Sequence, residues 1–383
     1  FFVWMVLFAY QFVIRLAKSD FDRFSLRVLF LFVFIFAPVP YYLGFRTLTE
    51  SLSTALVLIS VFFTLNENQG KGFRNFVFIA GLFSALAFGI RYQTGFFSAV
   101  YYPLIFIFWQ KRNLLKCSLI PLFSGLFLGF LLLGLADYFF YGIPFISLYK
   151  YYEFNVLRNV SVEYGISPPA FYLAGILINY KFLTIFFLAG TLFYFKKFYP
   201  LIVATFFFLI VHSFIPHKEI RFIYLSLPVI SILTILGVHR TSSFITEKLK
   251  KPILSYIFIV GVIIYSSSIF YKLAKKDITW NAFNNNLQAF LINDTLRLKG
   301  NSYAAIPGTW AWTGGYVYFG KFFTEELFFQ DFTHFTDSQK SDYLTKNSIQ
   351  NICVDERQLP YYCKNFGYCK VIRSIEGFVW ATK

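Results

Sequence analysis

Residues 119–136 read LIPLFSGLFLGFLLLGLA, a run of 18 positions without a charged side chain. An α-helix rises about 1.5 Å per residue, so this run covers most of the roughly 30 Å hydrocarbon core of a bilayer. Further apolar runs at 28–39, 78–90, 201–215 and 253–270 can each be extended to a similar length. The runs therefore predict an α-helical polytopic membrane protein.

The composition of the whole chain agrees with this interpretation. Of its 383 residues, 57% are hydrophobic and only 14% are charged, whereas about a quarter of the residues in a soluble domain are charged. The formal net charge is +16, but the basic residues lie in short clusters between the apolar runs. Since nucleic-acid binding needs basic residues gathered on one soluble face, we expect membrane lipid and no nucleic acid as a partner.

The apolar runs predict about ten membrane spans. Their approximate bounds are 1–15, 28–43, 48–65, 75–91, 94–110, 117–136, 170–194, 199–215, 222–238 and 253–271. Every second loop carries basic residues, within 15–27, 71–74, 111–116, 196–197 and 240–251. The positive-inside rule places these loops in the cytoplasm. The other loops then face the lumen of the endoplasmic reticulum or a bacterial periplasm.

The composition becomes polar after the last predicted span. Helical apolar spacing covers 281–298, and short strand-like stretches follow at 303–306, 316–323, 349–354 and 369–375. The sequence therefore predicts a membrane domain over 1–271 and a small α/β domain over 272–383 on the non-cytoplasmic side. An oxidising compartment there is compatible with a disulfide between Cys363 and Cys369.

The stretch HKEIRF at 217–222 places four ionisable residues between two predicted spans. A charged side chain at the bilayer centre costs roughly 2.5–3.5 kcal/mol, so the stretch must lie at the interface or line a wet cavity. Pro216 predicts a helix start, after which Lys218 and Arg221 would share one helix face. Cations at a helix N-terminus attract phosphate. An ordinary interfacial loop is the alternative.

Other loops on the same predicted side carry weaker signals. Arg46 lies with Glu50 at the start of a span, and Arg91 separates two apolar runs. Each could be a capping or snorkelling group. The segment 137–172 is long for a connection and rich in rings interleaved with Asp, Asn and Glu. Such a segment suits a sugar-binding surface or a helix lying in the membrane interface.

Three of these stretches carry a resemblance to a known family. The stretch 217–222 resembles the His-Lys-Glu-x-Arg-Phe signature of the α-mannosyltransferases that use dolichyl-phosphate mannose, glycosyltransferase family 22. The residues at 46–49 look like its Arg-Thr-x-Ser/Thr element, and 137–165 is similar to its long luminal loop. The chain departs from the family at Glu50, where Asn is usual, and at 168–170, where Pro-Trp-His is usual.

The resemblance implies a GT-C fold, with inverting transfer of mannose from a polyprenyl (dolichyl) phosphate donor. The acceptor would be a lipid-linked glycan or a GPI-type glycolipid. The family's presumed catalytic carboxylate lies in a luminal loop after the first span, which we expect to precede Phe1. Alternatives are a transporter or flippase for lipid-linked saccharides, or a GT-C enzyme that uses another sugar.

The expected site residues follow from this chemistry. Cations stabilise a leaving phosphate, so neither a metal nor a cofactor is expected. The expected phosphate-binding residues are His217, Lys218, Arg221, Arg46 and Arg91. The expected supporting carboxylates are Asp137 and Glu219, and the expected acceptor-binding residues are Tyr141, Asn155 and Tyr164.

Overall fold

The chain forms two compact units, Phe1–Lys272 and Leu273–Lys383. The computed structural model describes residues 2–17, 19–35, 49–65, 72–158, 162, 165–273, 304–305, 327–328, 335–346, 349, 351–375 and 378–382. The first unit is helical in its described residues, and the second combines strands with helices.

The helices of the first unit follow the apolar runs of the sequence. They are α1 (Phe2–Ile14), α2 (Asp20–Leu29, continued by a π-helical turn over Phe30–Ile35), α3 (Thr49–Thr64), α4 (Phe73–Ile90), α5 (Thr94–Gln110), α6 (Leu115–Tyr141), α7 (Ile146–Tyr152), α8 (Phe171–Tyr180), α9 (Leu183–Phe214), α10 (Ser226–Leu249) and α11 (Pro252–Leu273). Among the described residues, α4, α6, α9, α10 and α11 are long and apolar enough to cross a membrane. The prediction of a polytopic helical membrane protein is thus confirmed, and the larger number of about ten spans stays a prediction.

Helix α9 folds back on itself at Phe198, whose φ of −123° and ψ of 23° are not helical. The ring centroids of Phe187 and Phe206 lie 6.0 Å apart, although a straight helix would separate these two residues by about 28 Å. The two halves of α9 therefore pack against each other. Lys196 and Lys197 lie at the turn between them, where the sequence predicts a basic loop.

The predicted span over 170–194 is not one continuous helix, because the chain breaks at Lys181 between α8 and α9. Lys181 adopts φ 47° and ψ −123°, a conformation that residues with a Cβ rarely adopt. Its amide still donates to the Leu177 carbonyl oxygen at 2.8 Å, which closes α8. Neither Gly nor Pro marks this position in the sequence, and the polar Asn179 and Lys181 are the local interruption of the apolar pattern.

Paired glycines bring the longest helices into close contact. A Cβ at Gly81 would collide with the main chain of Leu122, and one at Gly125 with that of Phe78, so α4 and α6 touch backbone to backbone. Gly190 and Gly237 make the same kind of contact between α9 and α10. Small residues allow this close approach where lipid provides no hydrophobic drive for helix association.

Several of the predicted cytoplasmic loops meet at one end of these helices. The Lys111 ammonium lies 5.8 Å from the centre of the Tyr199 ring, at the turn of α9. The Arg240 guanidinium lies 5.8 Å from the centre of the Phe193 ring, just before that turn. The contacts support one shared end for these loops, and its assignment to the cytoplasm stays a prediction.

The second unit contains a five-stranded mixed sheet with the order β2-β1-β3-β5-β4. Its elements are β1 (Ala304–Ala305), β2 (Leu327–Phe328), α12 (Asp337–Lys346), β3 (Asn351–Asp355), α13 (Leu359–Phe366), β4 (Lys370–Ile375) and β5 (Phe378–Thr382). Strand β1 runs parallel to β2 and β3, whereas β5 runs antiparallel to β3 and β4. Cys363 and Cys369 form a disulfide that closes the turn after α13. The helix predicted over 281–298 and the strand over 316–323 lie outside the described residues.

Candidate functional site

A charged cluster, formed by Glu50, Arg91, His217, Glu219 and Arg221, lies at one end of the membrane helices. Glu50 begins α3, Arg91 follows the last residue of α4, and the other three lie between α9 and α10. Glu50 Oε1 lies 2.7 Å from Arg91 Nη1 and 3.8 Å from Arg221 Nε. The Glu50 carboxylate therefore joins arginines from two separate loops.

The second carboxylate of the charged cluster, Glu219, holds Arg221 through one hydrogen bond. Arg221 Nη2 donates to Glu219 Oε1 at 2.8 Å, whereas Arg221 Nε lies 2.7 Å from Glu219 Oε2 without hydrogen-bond geometry. His217 Nε2 lies 3.2 Å from the same Oε1 atom. The Phe222 ring lies 5.2 Å from the Arg91 guanidinium and 5.6 Å from the Arg221 guanidinium. The hydrogen bond and ion pair with Glu219 and the aromatic ring together restrict the orientation of Arg221.

The predicted helix start at Pro216 is wrong. Glu219 is extended, with φ −133° and ψ 147°, a single 3₁₀ turn follows over Ile220–Ile223, and α10 begins only at Ser226. The Ser167 amide donates to the Pro216 carbonyl oxygen at 3.0 Å, which ties this loop to the segment before α8. Lys218 and Arg221 consequently do not share a helix face, and the α10 N-terminus lies beyond the cluster in sequence.

Lys218 points into this loop and is only 6% exposed. Its Nζ atom donates to the Ser167 carbonyl oxygen at 2.7 Å and to that of Pro216 at 3.4 Å. Burial lowers the pKa of Lys218. Because carbonyl oxygens already occupy the ammonium group, we interpret Lys218 as a residue that holds the loop in place, in contrast to the phosphate contact expected from the sequence.

A second polar group lies beside the charged cluster and contains Asp137. Asp137 Oδ2 accepts hydrogen bonds from the Ser147 amide at 2.9 Å and from the Ser147 hydroxyl at 2.6 Å. The Tyr92 hydroxyl lies 2.7 Å from Ser147 Oγ, and the Tyr92 ring packs 5.0 Å from that of Tyr151. Asp137 thus fixes the start of α7 next to the turn that carries Arg91. A cavity of about 120 Å³ with mainly apolar walls adjoins this group.

Several buried polar atoms around Arg91 have no hydrogen-bond partner among the described residues. They are Arg91 Nη2, Arg221 Nε, Gln93 Oε1, the Tyr172 hydroxyl and His212 Nε2. Tyr172 and His212 both interact electrostatically with Arg91. Burial lowers the pKa of Arg91, and the neighbouring Glu50 carboxylate opposes that shift. Buried polar groups are normally paired, so these atoms around Arg91 are available to hydrogen-bond with a ligand or with water.

The remaining predicted site residues have different positions. Arg46 and Tyr164 lie outside the described residues. Tyr141 ends α6 and is 66% exposed, and the Asn155 amide donates to the Tyr151 carbonyl oxygen at 3.0 Å. Acceptor binding by Tyr141, Asn155 and Tyr164 stays a prediction.

Three residues at this site were not predicted from the sequence. From the sequence, Glu50 was noted only as a neighbour of Arg46 and as a position where the family usually has Asn. In the structure its carboxylate contacts both Arg91 and Arg221. Tyr172 and His212 lie inside apolar helices, where a ring counts as a hydrophobic residue. The one signal available in the sequence was the Glu50 carboxylate at the start of an apolar run. Ionisable residues within a membrane are often functional.

The helices and the half-buried cluster of arginines and carboxylates define a multi-pass membrane protein with a polar site at one end of its helices. Residues 2–293 match the Alg9-like mannosyltransferase family, and the chain belongs to that family. The resemblance drawn from the sequence motifs is thereby confirmed.

Individual relatives match over shorter regions. The chain is 35% identical over 188 residues to the GPI alpha-1,2-mannosyltransferase 3 of Bos taurus, which covers 48% of this chain and 33% of the relative. Identity to the protein of that name from Homo sapiens is 31% over 191 residues, covering 48% and 32%. The GPI mannosyltransferase 3 of Debaryomyces hansenii is 36% identical over 135 residues, covering 34% and 24%. The chain thus spans about a third or less of these relatives, and no solved structure matches it.

Proposed function

We propose that the protein containing this chain is a glycosyltransferase that moves mannose from a polyprenyl (dolichyl) phosphate to a hydroxyl group of a lipid-linked glycan or GPI-type acceptor. Family membership and the names of the relatives support the sugar and the acceptor class. The observation that carries the proposal is the pair of arginines, the buried Arg91 and the half-buried Arg221, held together by Glu50 at one end of membrane helices.

The reaction would invert the anomeric centre. The acceptor oxygen attacks C1 of mannose, the bond between C1 and the phosphate oxygen breaks, and its electron pair stays on the phosphate. A carboxylate takes the acceptor proton. Arg91, Arg221 and His217 stabilise the charge that develops on the leaving phosphate, with Arg46 as a further candidate. Fixed cations of this kind perform the role that a metal ion has in other transferases.

The carboxylates near the site have supporting roles in this proposal. Glu219 holds Arg221 and His217 in position through its two oxygens. Asp137 fixes α7 through Ser147, beside the turn that carries Arg91. The exposed rings between α6 and α8, with Tyr141, Asn155 and Tyr164, would face the sugar acceptor.

The proposed location follows the charge pattern of the loops. Basic loops in the cytoplasm put the charged cluster on the opposite side of the membrane. That side is the lumen of the endoplasmic reticulum, or the periplasm if the membrane is a bacterial inner membrane.

Substitution of the two arginines tests the proposal. Membranes that contain Arg91→Ala or Arg221→Ala are expected to transfer mannose from polyprenyl-phosphate mannose about 10²–10³-fold more slowly than wild type, as when a preorganised electrostatic contact is lost. Arg240→Ala is the matched control, because Arg240 pairs with Glu247 at 3.2 Å at the other end of the helices. Unchanged transfer by both site variants, at equal protein levels, would refute the phosphate role.

A further inference from the structure

Glu50 occupies the position between the two arginines to which the proposed function assigns the donor phosphate. Its side chain is 7% exposed, although α3 is otherwise built from apolar and small hydroxyl residues. One oxygen faces Arg91 and Arg221, and the other accepts a hydrogen bond from the Thr49 hydroxyl at 3.1 Å. A buried carboxylate of this kind is stable only because the arginines compensate its charge.

The charged cluster is already balanced by its own carboxylates. Two guanidinium groups, of Arg91 and Arg221, face two carboxylates, of Glu50 and Glu219. A phosphate group that entered between the arginines would add a third anion, next to the Glu50 carboxylate, whose side chain is only 7% exposed. Like charges at close range repel strongly where water is excluded. An anionic ligand therefore binds well only if one carboxylate gives up its place.

The two carboxylates differ in how they hold the arginines. Glu219 Oε1 accepts a hydrogen bond from Arg221 Nη2 at 2.8 Å and faces His217 at 3.2 Å, and the Glu219 side chain is 32% exposed. Glu50 Oε1 lies 2.7 Å from Arg91 and 3.8 Å from Arg221, and the Glu50 side chain is 7% exposed. Glu50 is consequently the carboxylate that lies between the two arginines, and its charge competes there with an incoming phosphate.

Hydrogen-bond donors near Arg91 and Arg221 are available to an anion. Arg91 Nη2 and Arg221 Nε have no hydrogen-bond partner among the described residues, and neither has the buried Tyr172 hydroxyl. Tyr172 is 1% exposed. Phosphate oxygens accept several hydrogen bonds at once and suit such a set of donors.

We infer that Glu50 is a resident counter-ion, which the phosphate monoester of a polyprenyl phosphate replaces between Arg91 and Arg221. Glu50 is thus a positioning residue: it keeps the arginines paired until the ligand arrives, and it competes with the ligand for them. This inference rests on the proposed function, since it takes the charged cluster as the donor phosphate site.

The test measures binding of a short-chain polyprenyl monophosphate to the detergent-solubilised protein, without any mannose donor. Glu50→Gln keeps the shape of the side chain and removes the competing charge. It is expected to lower the Kd for the polyprenyl phosphate about tenfold, which corresponds to about 1.4 kcal/mol. The Kd for the matching polyprenol, which lacks the phosphate, should not change. Glu247→Gln, in the exposed pair with Arg240, is the matched control and should bind both lipids as wild type does.

Thermal stability gives a second measurement. Without ligand, Glu50→Gln leaves Arg91 without its nearest counter-charge and should melt below wild type. Polyprenyl phosphate should then raise its melting temperature more than it raises that of wild type. If Glu50→Gln does not fold, Glu50→Asp, whose shorter carboxylate holds both arginines less closely, should bind polyprenyl phosphate more tightly than wild type by a smaller factor.

The outcomes separate this inference from the proposed function. Equal or weaker phosphate binding by the Glu50 variants, or equal tightening for the polyprenol, overturns the role of Glu50 even if mannose transfer is normal. Tighter phosphate binding by Glu50→Gln supports the role of Glu50, including in a protein that transfers no mannose. If the protein binds the phosphate in this way but transfers no mannose, the transferase proposal fails, whereas the assignment of an anion site is kept.

Discussion

Replacement of Lys218 by methionine distinguishes a residue that holds the loop from one that binds phosphate. In the structure, Lys218 Nζ donates to the Ser167 carbonyl oxygen at 2.7 Å and more weakly to that of Pro216 at 3.4 Å. Methionine has a similar length and can donate no hydrogen bond. Lys218→Met therefore removes the link between residues 165–167 and the loop that carries Glu219 and Arg221.

The expected cost follows from these contacts. A hydrogen bond from a charged donor contributes about 1.5–3 kcal/mol, and an unpaired buried carbonyl oxygen costs about 1–3 kcal/mol. Methionine offsets part of this loss, because an ammonium group no longer has to be buried. We expect a net destabilisation of about 2 kcal/mol, which corresponds to a fall in melting temperature of roughly 4–8 °C.

The assay combines thermal stability with donor kinetics. Melting of the detergent-solubilised variant is followed by size-exclusion chromatography of a fluorescent fusion, and KM for polyprenyl-phosphate mannose is measured in membranes at low temperature. Lys248→Met, at an exposed lysine in the last turn of α10, is the control and should melt as wild type does. A wild-type melting temperature for Lys218→Met together with a raised donor KM would show direct phosphate contact and refute our interpretation of Lys218.

Two further predictions concern packing and the disulfide. Gly237→Val should destabilise the membrane unit by about 1–3 kcal/mol, because any Cβ there collides with the main chain of Phe186. The control is Gly261→Ala in α11, where an added Cβ would have no atom within 4 Å. It should be neutral or slightly stabilising, and equal melting temperatures for the two variants would contradict the packing argument. Cys363→Ser should lower the stability of the unit Leu273–Lys383 by about 2 kcal/mol, measured by limited proteolysis. In the unreduced wild-type protein, a maleimide should label the free, exposed Cys117 and leave Cys363 and Cys369 unlabelled until a reductant is added. Labelling of Cys363 and Cys369 without reductant would contradict the disulfide.

The predicted spans and the observed helices agree where apolarity alone decides. The expected spans at 75–91, 94–110 and 117–136 correspond to α4, α5 and α6 within a few residues at most ends, though α6 extends to Tyr141. Apolarity is a property of each residue, and a helix of about 20 consecutive apolar residues has few stable environments other than a bilayer. Breaks that depend on backbone conformation are different. Lys181 ends α8 in a conformation that its residue type does not signal.

The charged cluster could be predicted only in part. HKEIRF at 217–222 stood out because ionisable residues are rare between spans, and Arg91 because it interrupts two apolar runs. The helix expected at Pro216 was wrong because a distant partner, Ser167, holds that loop extended. Local signals such as proline at a first helical position cannot include a hydrogen bond to a segment far away in the sequence.

The amino-acid sequence by itself determined that this chain enters a membrane as a series of helices, with its basic loops alternating and its family motif between two spans. Those features depend on the hydropathy and charge of residues that are neighbours in the sequence, and both properties can be added up without knowledge of the tertiary structure. Only the tertiary structure decided that Glu50 lies between Arg91 and Arg221, that Lys218 turns to carbonyl oxygens, and that Tyr172 and His212 reach the same site. Electrostatic energies depend on the distance between charges and on the exclusion of water, and the packing of separate helices sets both.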